Sequence, residues 1–163
     1  MPSDTTTPNS ARYTIDDLAA LAVFAQRLLD ALRRRAGSGA ATVLALSGDL
    51  GAGKTALVQA IGAELGVSGS ITSPTFTIMQ RYETSDAQFP HLVHLDAYRF
   101  ESAAELRPLK FSDVLAEAGT LVLIEWPEHI AGALPRETPQ VSIEITTLPQ
   151  RQVTVSGLPS LPA

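Results

Sequence analysis

ATVLALSGDLGAGKTALVQAIGAELG, residues 41–66, is the stretch whose reading decides the fold. Its opening, ATVLALSG, is mostly apolar and reads as a buried strand ending in a glycine. Its close, KTALVQAIGAELG, reads as a helix stopped by Gly66. Between them GDLGAGKT, 48–55, matches G-x-x-x-x-G-K-T at every fixed position. A strand before and a helix after are what such a loop needs. Gly48, Gly51 and Gly53 allow unusual dihedrals and bring backbone N–H groups against anionic oxygens. The helix N-terminus adds a partial positive charge. Lys54 is expected to reach the β- and γ-phosphates of a nucleotide, and the Thr55 hydroxyl to ligate Mg2+. Gly62, inside the helix, costs roughly 1 kcal/mol against alanine, and close packing is the one account of it.

On the N-terminal side, residues 1–12 read as a disordered lead. Thr14 offers a helix N-cap, with Asp16 and Asp17 in the first turn. Ile15, Leu18, Ala22, Ala25, Leu28, Leu29 and Leu32 recur at helical spacing. Arg33, Arg34 and Arg35 close that helix, either as a solvated end favoured by the dipole or as a contact for RNA or a partner. AGSGA, 36–40, is a connector.

On the C-terminal side, VSGSITSPTF reads as a loop, FTIMQRYE (76–83) as a strand, and HLVHLD (91–96) as another. ESAAELR is expected to be a short helix closed by Pro108, and FSDVLAEAG (111–119) a second, started at Ser112. LVLIE, 121–125, is uninterrupted apolar sequence ending in a carboxylate, as in a parallel strand covered on both faces. VSIEITT and QVTVSG alternate with period two around Pro149, Gln150 and Arg151 and predict a terminal antiparallel hairpin. The expectation is an α/β, three-layer fold with a mostly parallel central sheet. It places one domain at 13–157, with a tail at 158–163.

The whole chain sets limits. Its 163 residues suit one domain with a real core. Hydrophobic and charged fractions of 45% and 18% are ordinary for a globular protein. A net charge of −5 argues against a molecule built to coat nucleic acid. No cysteine is present, which excludes disulfides, thiolate zinc sites and cysteine nucleophiles. MPSDTTTPNS lacks the layout of a signal peptide, and no apolar run approaches the ~20 residues that span a bilayer. A cytoplasmic protein with no membrane partner is expected. Guanine-specific nucleotide sites of this loop class usually carry N-K-x-D. The single asparagine, Asn9, lies outside the expected fold, so ATP is the better reading.

Hydrolysis needs more than a phosphate loop. It needs an acid to hold the metal and a positioned water. Asp96 ends one strand and Glu125 another, and in a parallel sheet both emerge at the edge where the loop opens. Either could instead be a solvated strand end. GDLGAGKT, SPTF (73–76), HLDAYR (94–99) and IEWPE (124–128), in this order and at these distances, resemble the TsaE (formerly YjeE) family. The resemblance covers roughly residues 14–156.

That resemblance implies a P-loop ATPase needed for threonylcarbamoyladenosine at adenosine 37 of tRNA. Partners of TsaB and TsaD type would carry the carbamoyl transfer, with tRNA reached through the complex. It implies nucleotide contacts from Gly48, Asp49, Gly51, Ala52, Gly53, Lys54, Thr55 and Ala56. Thr55 and Glu125 would bind Mg2+, with the choice between Asp96 and Glu125 as direct ligand left open. Lys54, Asp96 and Glu125 would be the catalytic residues, Asp96 orienting the attacking water. Thr75 would sense the γ-phosphate from the Ser73–Pro74–Thr75 switch, Trp126 would lie beside the nucleotide, and Asp16, Asp17 and Arg151 would edge its pocket. Ala97 and Phe100 stand where the family often has leucine, and Leu18–Phe24 lacks the threonine common in its first helix.

Other readings stay open on the residues themselves. His91 and His94, three apart on a strand, point to opposite faces and cannot chelate one ion together. His94 shares a face with Asp96. His129 is expected at the surface. Tyr98 and Trp126 could be core aromatics, and Arg99 a salt-bridge partner or a charge-stabilising group. A P-loop small-molecule kinase would need a basic lid, for which 100–120 offers only Arg107 and Lys110. A non-hydrolysing binding module would be expected to lose one of Lys54, Thr55, Asp96 and Glu125.

Overall fold

A computed structural model of the protein describes residues 9–73 and 77–162. Four strands run parallel at its centre: β2 (Thr42–Ser47), β4 (His91–Asp96), β5 (Thr120–Glu125) and β6 (Gln140–Ile145). Antiparallel strands close both flanks, β7 (Arg151–Ser156) and then β1 (Ser10–Ile15) on one side and β3 (Met79–Glu83) on the other. The order across the sheet is β1-β7-β6-β2-β5-β4-β3. β6 and β7 form the expected C-terminal hairpin, paired from Gln140↔Ser156 to Ile145↔Arg151.

The apolar runs of β2, β4 and β5 follow from burial on both faces. Leu44, Leu46, Leu92, Leu121 and Leu123 point to one side. There they join the apolar stripes of α1 (Leu18–Arg35) and α2 (Lys54–Glu64). Val43, Val93, Leu95, Val122 and Ile124 point to the other, where they meet Phe100, Leu106, Phe111, Val114 and Ile130. The three layers are therefore helices, sheet, and a second cover. That cover is built from 3₁₀ turns at Ala103–Leu109 and Pro127–Ala133 and a short helix α3 (Phe111–Leu115).

Local readings changed where tertiary pairing outweighed local signals. Residues 10–12, read as lead, belong to β1, and Thr14 sits mid-strand opposite Gln152 instead of capping a helix. β1 alternates exposed and covered residues and gains its backbone partners only from β7, 136 positions downstream at the Ile15↔Arg151 end. The helix starts later: the Asp17 carboxylate caps it by accepting from the Ala20 N–H at 2.7 Å, and Asp16 lies before it. Leu18 and Ala22 consequently face solvent, and Leu21, Phe24, Ala25, Leu28 and Leu32 carry the inward stripe. Within the expected tail, Leu158 and Leu161 are buried, and the Leu161 N–H donates to the Tyr13 hydroxyl at 3.1 Å.

On the other side of the sheet, the helix expected at 111–119 ends at Leu115, and Pro108 lies inside the 3₁₀ turn it was expected to close. β3 begins at Met79, after Ile78 in a left-handed conformation (φ 52°). Gly62 is explained: a Cβ there would come within 2.1 Å of Ile71 Cδ1.

Candidate functional site

One row of the sheet assembles the centre. Leu46 of β2 pairs with Glu125 of β5, and Glu125 pairs with Asp96 of β4. The chain leaves β2 through Ser47 into the glycine loop, so the loop opens beside the two carboxylates. Gly48 is demanded twice over. Its φ of 146° disfavours a side chain, and a Cβ would lie 2.5 Å from the Ile143 carbonyl of β6. Gly53, also left-handed, then starts α2.

Lys54 is buried at 5% exposure, unusual for a lysine. Its ammonium donates to the Gly48 carbonyl and, at 3.1 Å, to that of Asp49. It also stands 4.3 Å from the centroid of the Trp126 ring, a cation–π distance. The Thr55 hydroxyl donates to Glu125 Oε1 at 2.9 Å, and His94 Nε2 lies 2.8 Å from the same oxygen. Glu125 is 4% exposed and His94 fully buried. Asp96 is half-buried and takes the Tyr98 N–H on Oδ1 at 2.9 Å. Burial, and then the neighbouring Glu125 charge, push its carboxyl above the ordinary range against the pull of that N–H.

These groups suit a hard divalent cation. Thr55, Glu125 and Asp96 offer oxygen, and two close carboxylates raise a negative potential that such an ion would relieve. No group of three His, Cys, Asp or Glu side chains placed to hold a metal ion occurs among the described residues. Mg2+ needs none, because it is commonly held by one or two carboxylates together with substrate phosphates and water. The cavity here, about 340 Å³, is lined by Lys54, Thr55, Ser73, Asp96, Arg99 and Glu125, with Tyr98 and Trp126 at its side.

A second cavity of about 250 Å³ lies across the loop, sharing Gly53 and Ala56 with the first. It is mostly apolar, with Ile15, Leu21, Phe24, Leu57, Ile143 and Val153 in its wall. Asp16, Asp17 and Arg151, singled out in the sequence, line it as well. Arg151 Nε donates to the Ala52 carbonyl at 3.0 Å, tying the hairpin to the loop, and Gln150 donates to Asp16 at 2.7 Å. The cavity's volume and apolar lining suit a flat, weakly polar ring system.

Trp126 adopts a left-handed conformation (φ 57°, ψ 51°) directly before Pro127, strained for a bulky residue. That turn brings its ring 5.1 Å from Tyr98 and 5.8 Å from His129. His129, expected at the surface, is half-buried and donates from Nδ1 to the Ala97 carbonyl at 3.0 Å. Tyr98 and Arg99 are exposed at the cavity mouth. Thr75 lies outside the described residues.

Sequence reasoning expected a hydrogen-bonding role for His94 without naming Glu125 as its partner, and missed the His129 ring cluster and the Gln150–Asp16 link. For His94 a signal existed, since it sits two residues before Asp96 and therefore on the same face. For the other two none did, because their partners come from separate elements.

Comparison with known proteins bears on the same residues. A family model described as "Threonylcarbamoyl adenosine biosynthesis protein TsaE" matches residues 15–153. A tRNA threonylcarbamoyladenosine biosynthesis protein TsaE from Synechocystis is 37% identical over 124 residues, 75% of this chain and 73% of the relative. Its counterpart from Streptomyces coelicolor is 38% identical over 124 residues, 73% of this chain and 82% of that one. The crystal structure of YdiB from Bacillus subtilis superposes with a TM-score of 0.67 at 27% identity. It covers 91% of this chain and 85% of its own.

Proposed function

This chain belongs to the TsaE family of P-loop ATPases, and from that premise we propose that it hydrolyses ATP with Mg2+ to drive the cycle of a complex making threonylcarbamoyladenosine in tRNA. One observation carries the reading. Thr55, Glu125 and Asp96 converge at the head of α2, where a nucleotide's phosphates would lie, in a chain that the family model covers almost end to end.

Gly48, Asp49, Gly51, Ala52, Gly53 and Ala56 form the cradle and its edge, and Lys54 exchanges its loop carbonyls for the β- and γ-phosphates. Thr55 and Glu125 hold Mg2+, which supplies charge neutralisation on the phosphate oxygens when bound. Asp96, half-buried and with one oxygen fixed by the Tyr98 N–H, orients the attacking water. Trp126 packs beside the phosphates, the base enters the apolar cavity, and Arg151 braces the loop between them. Thr75 reads the γ-phosphate.

The site is open on its own. Arg99 and Tyr98 sit at an exposed rim, and among the described residues no element closes over the 340 Å³ cavity. Hydrolysis is therefore slow alone and rises when TsaB-like and TsaD-like partners close the site. tRNA is met through that complex in the cytoplasm. No described helix is long and apolar enough to cross a membrane. A kinase reading is weaker, because Arg107 and Lys110 line a separate groove with Leu106 and Phe111 and form no lid over the phosphate cavity.

The test is inorganic phosphate release with and without a TsaB–TsaD pair. Slow release alone, rising on addition of the pair, is expected. A fast, partner-independent rate, or phosphate appearing on a metabolite acceptor, would overturn it.

A further inference from the structure

The geometry points to His94 as a positioning residue that holds the Glu125 carboxylate in its metal-binding orientation, through an Nε2–H donated to Oε1. The inference rests on the functional reading above and adds a residue to it. His94 is wholly buried in the middle of β4, on the face it shares with Leu92 and Asp96, and its register partner in β5 is Leu123. Leu92 and Leu123 are apolar, whereas Asp96 and Gln80, the register partner of His94 in β3, are polar; a fully buried position on a central strand ordinarily holds an aliphatic residue.

The imidazole is also only half satisfied. Nε2 lies 2.8 Å from Glu125 Oε1, while Nδ1 is the one buried side-chain atom without a hydrogen-bond partner among the described residues. An orphaned polar atom in a core destabilises the fold, and a leucine at 94 would avoid that loss. What leucine lacks is an N–H aimed at Glu125. Since Nδ1 meets no acceptor among the described residues, the ring's proton belongs on Nε2, where the carboxylate receives it.

The contact is specific to one oxygen. Thr55 Oγ1 donates to Oε1 at 2.9 Å, so two donors from two different elements converge on the same atom. Glu125 is thereby pinned by Oε1 between β4 and α2 and can turn Oε2 toward a cation. Donors behind a ligating carboxylate set its orientation and commonly govern metal affinity by ten- to a hundredfold. Thr55 alone would leave the carboxylate free to swing about that single bond.

The experiment compares wild type, His94→Leu and His94→Gln. The Mg2+ concentration giving half-maximal binding of a nonhydrolysable ATP analogue is measured by calorimetry, beside the melting temperature. For His94→Leu, a rise of roughly tenfold or more in that concentration is expected, with melting unchanged or higher. His94→Gln, whose amide N–H can occupy the place of Nε2–H, should recover most of the Mg2+ affinity. A leucine variant with wild-type Mg2+ dependence, or a glutamine variant as impaired as leucine, overturns the inference while leaving the ATPase reading intact. Wild-type protein whose analogue binding ignores Mg2+ overturns the ATPase reading, and this inference with it. Independently of nucleotide and of any variant, long-range 1H–15N spectra of the unliganded protein should show His94 as the Nε2–H tautomer. The Nδ1–H tautomer would overturn the assignment.

Discussion

The two cavities that meet at Gly53 and Ala56 are built on different principles. The phosphate side is polar and draws on the ends of parallel strands: Glu125 and Asp96 stand in one register row, with Lys54 and Thr55 entering from α2. The buried charged groups there are held by polar partners, Lys54 by loop carbonyls and Glu125 by Thr55 and His94, and such networks lose heavily when one member is removed. The opposite side is mostly apolar and belongs to the antiparallel flank. α1, the end of β1 and the β6–β7 hairpin enclose a space by shape, with few polar contacts. On the proposed function, chemistry is therefore concentrated in a few atoms, while base binding is spread over many weak ones.

If that contrast holds, substitutions should fall in a graded series. Lys54→Ala should do the most, lowering ATP turnover at least about a hundredfold, because it removes a buried cation from the developing phosphate charge. Phosphate release and nucleotide titration measure it, and near-normal values for both would remove the basis for a phosphate side altogether.

Asp96→Asn comes next. Turnover should drop by about a hundredfold if Asp96 orients the water, with ATP binding retained. Its effect on stability should run the other way. Burial and Glu125 raise the native Asp96 carboxyl above its ordinary value of 3.8. A raised pKa contributes stability that is complete below the unfolded value and lost as pH rises through the native one. At neutral pH the ionised carboxylate is thus a burden, and the asparagine variant should melt at an equal or higher temperature than wild type. That advantage should disappear below about pH 4. Calorimetry at both pH values decides it; a wild type that melts clearly higher at pH 7 would contradict the burial argument.

Arg151→Ala tests the other side. It loses the hydrogen bond to the Ala52 carbonyl, worth about 1 kcal/mol, so KM for ATP should rise roughly fivefold while kcat stays close to wild type. A fall in kcat as large as that of Asp96→Asn would merge the two regions into one. Gln150→Ala should do least. Its bond to Asp16 is exposed, and a change in KM below about threefold is expected in the same assay.

How far the sequence could be read follows the same division. The β2–loop–α2 unit is contiguous, so residues 41–66 display strand, loop and helix as a single pattern. The strand ends at Asp96 and Glu125 were legible because parallel strands that carry an apolar run must deliver their termini to one edge. β1 was not legible: its alternation is weak, and its partner β7 lies at the far end of the chain. The adjacent Thr14 and Asp17 are both good caps, and only the strand pairing of Thr14 left Asp17 to start the helix. The inner stripe of α1 shifted with that start. His129 looked solvent-exposed because nothing local reveals a left-handed Trp126 turning its ring toward it.

By itself, the sequence determined a glycine loop between a buried strand and a helix, of the kind that suits a nucleotide's phosphates, and which acids end the strands beside it. Those properties depend on residues close in the chain or on strand periodicity, both written locally. The tertiary structure alone decided which atoms meet: two donors, from Thr55 and His94, on one oxygen of Glu125, and an apolar cavity enclosed by segments from both ends of the chain. Such contacts arise from register and packing between elements far apart in sequence, where a hydrogen bond is won or lost within a fraction of an ångström.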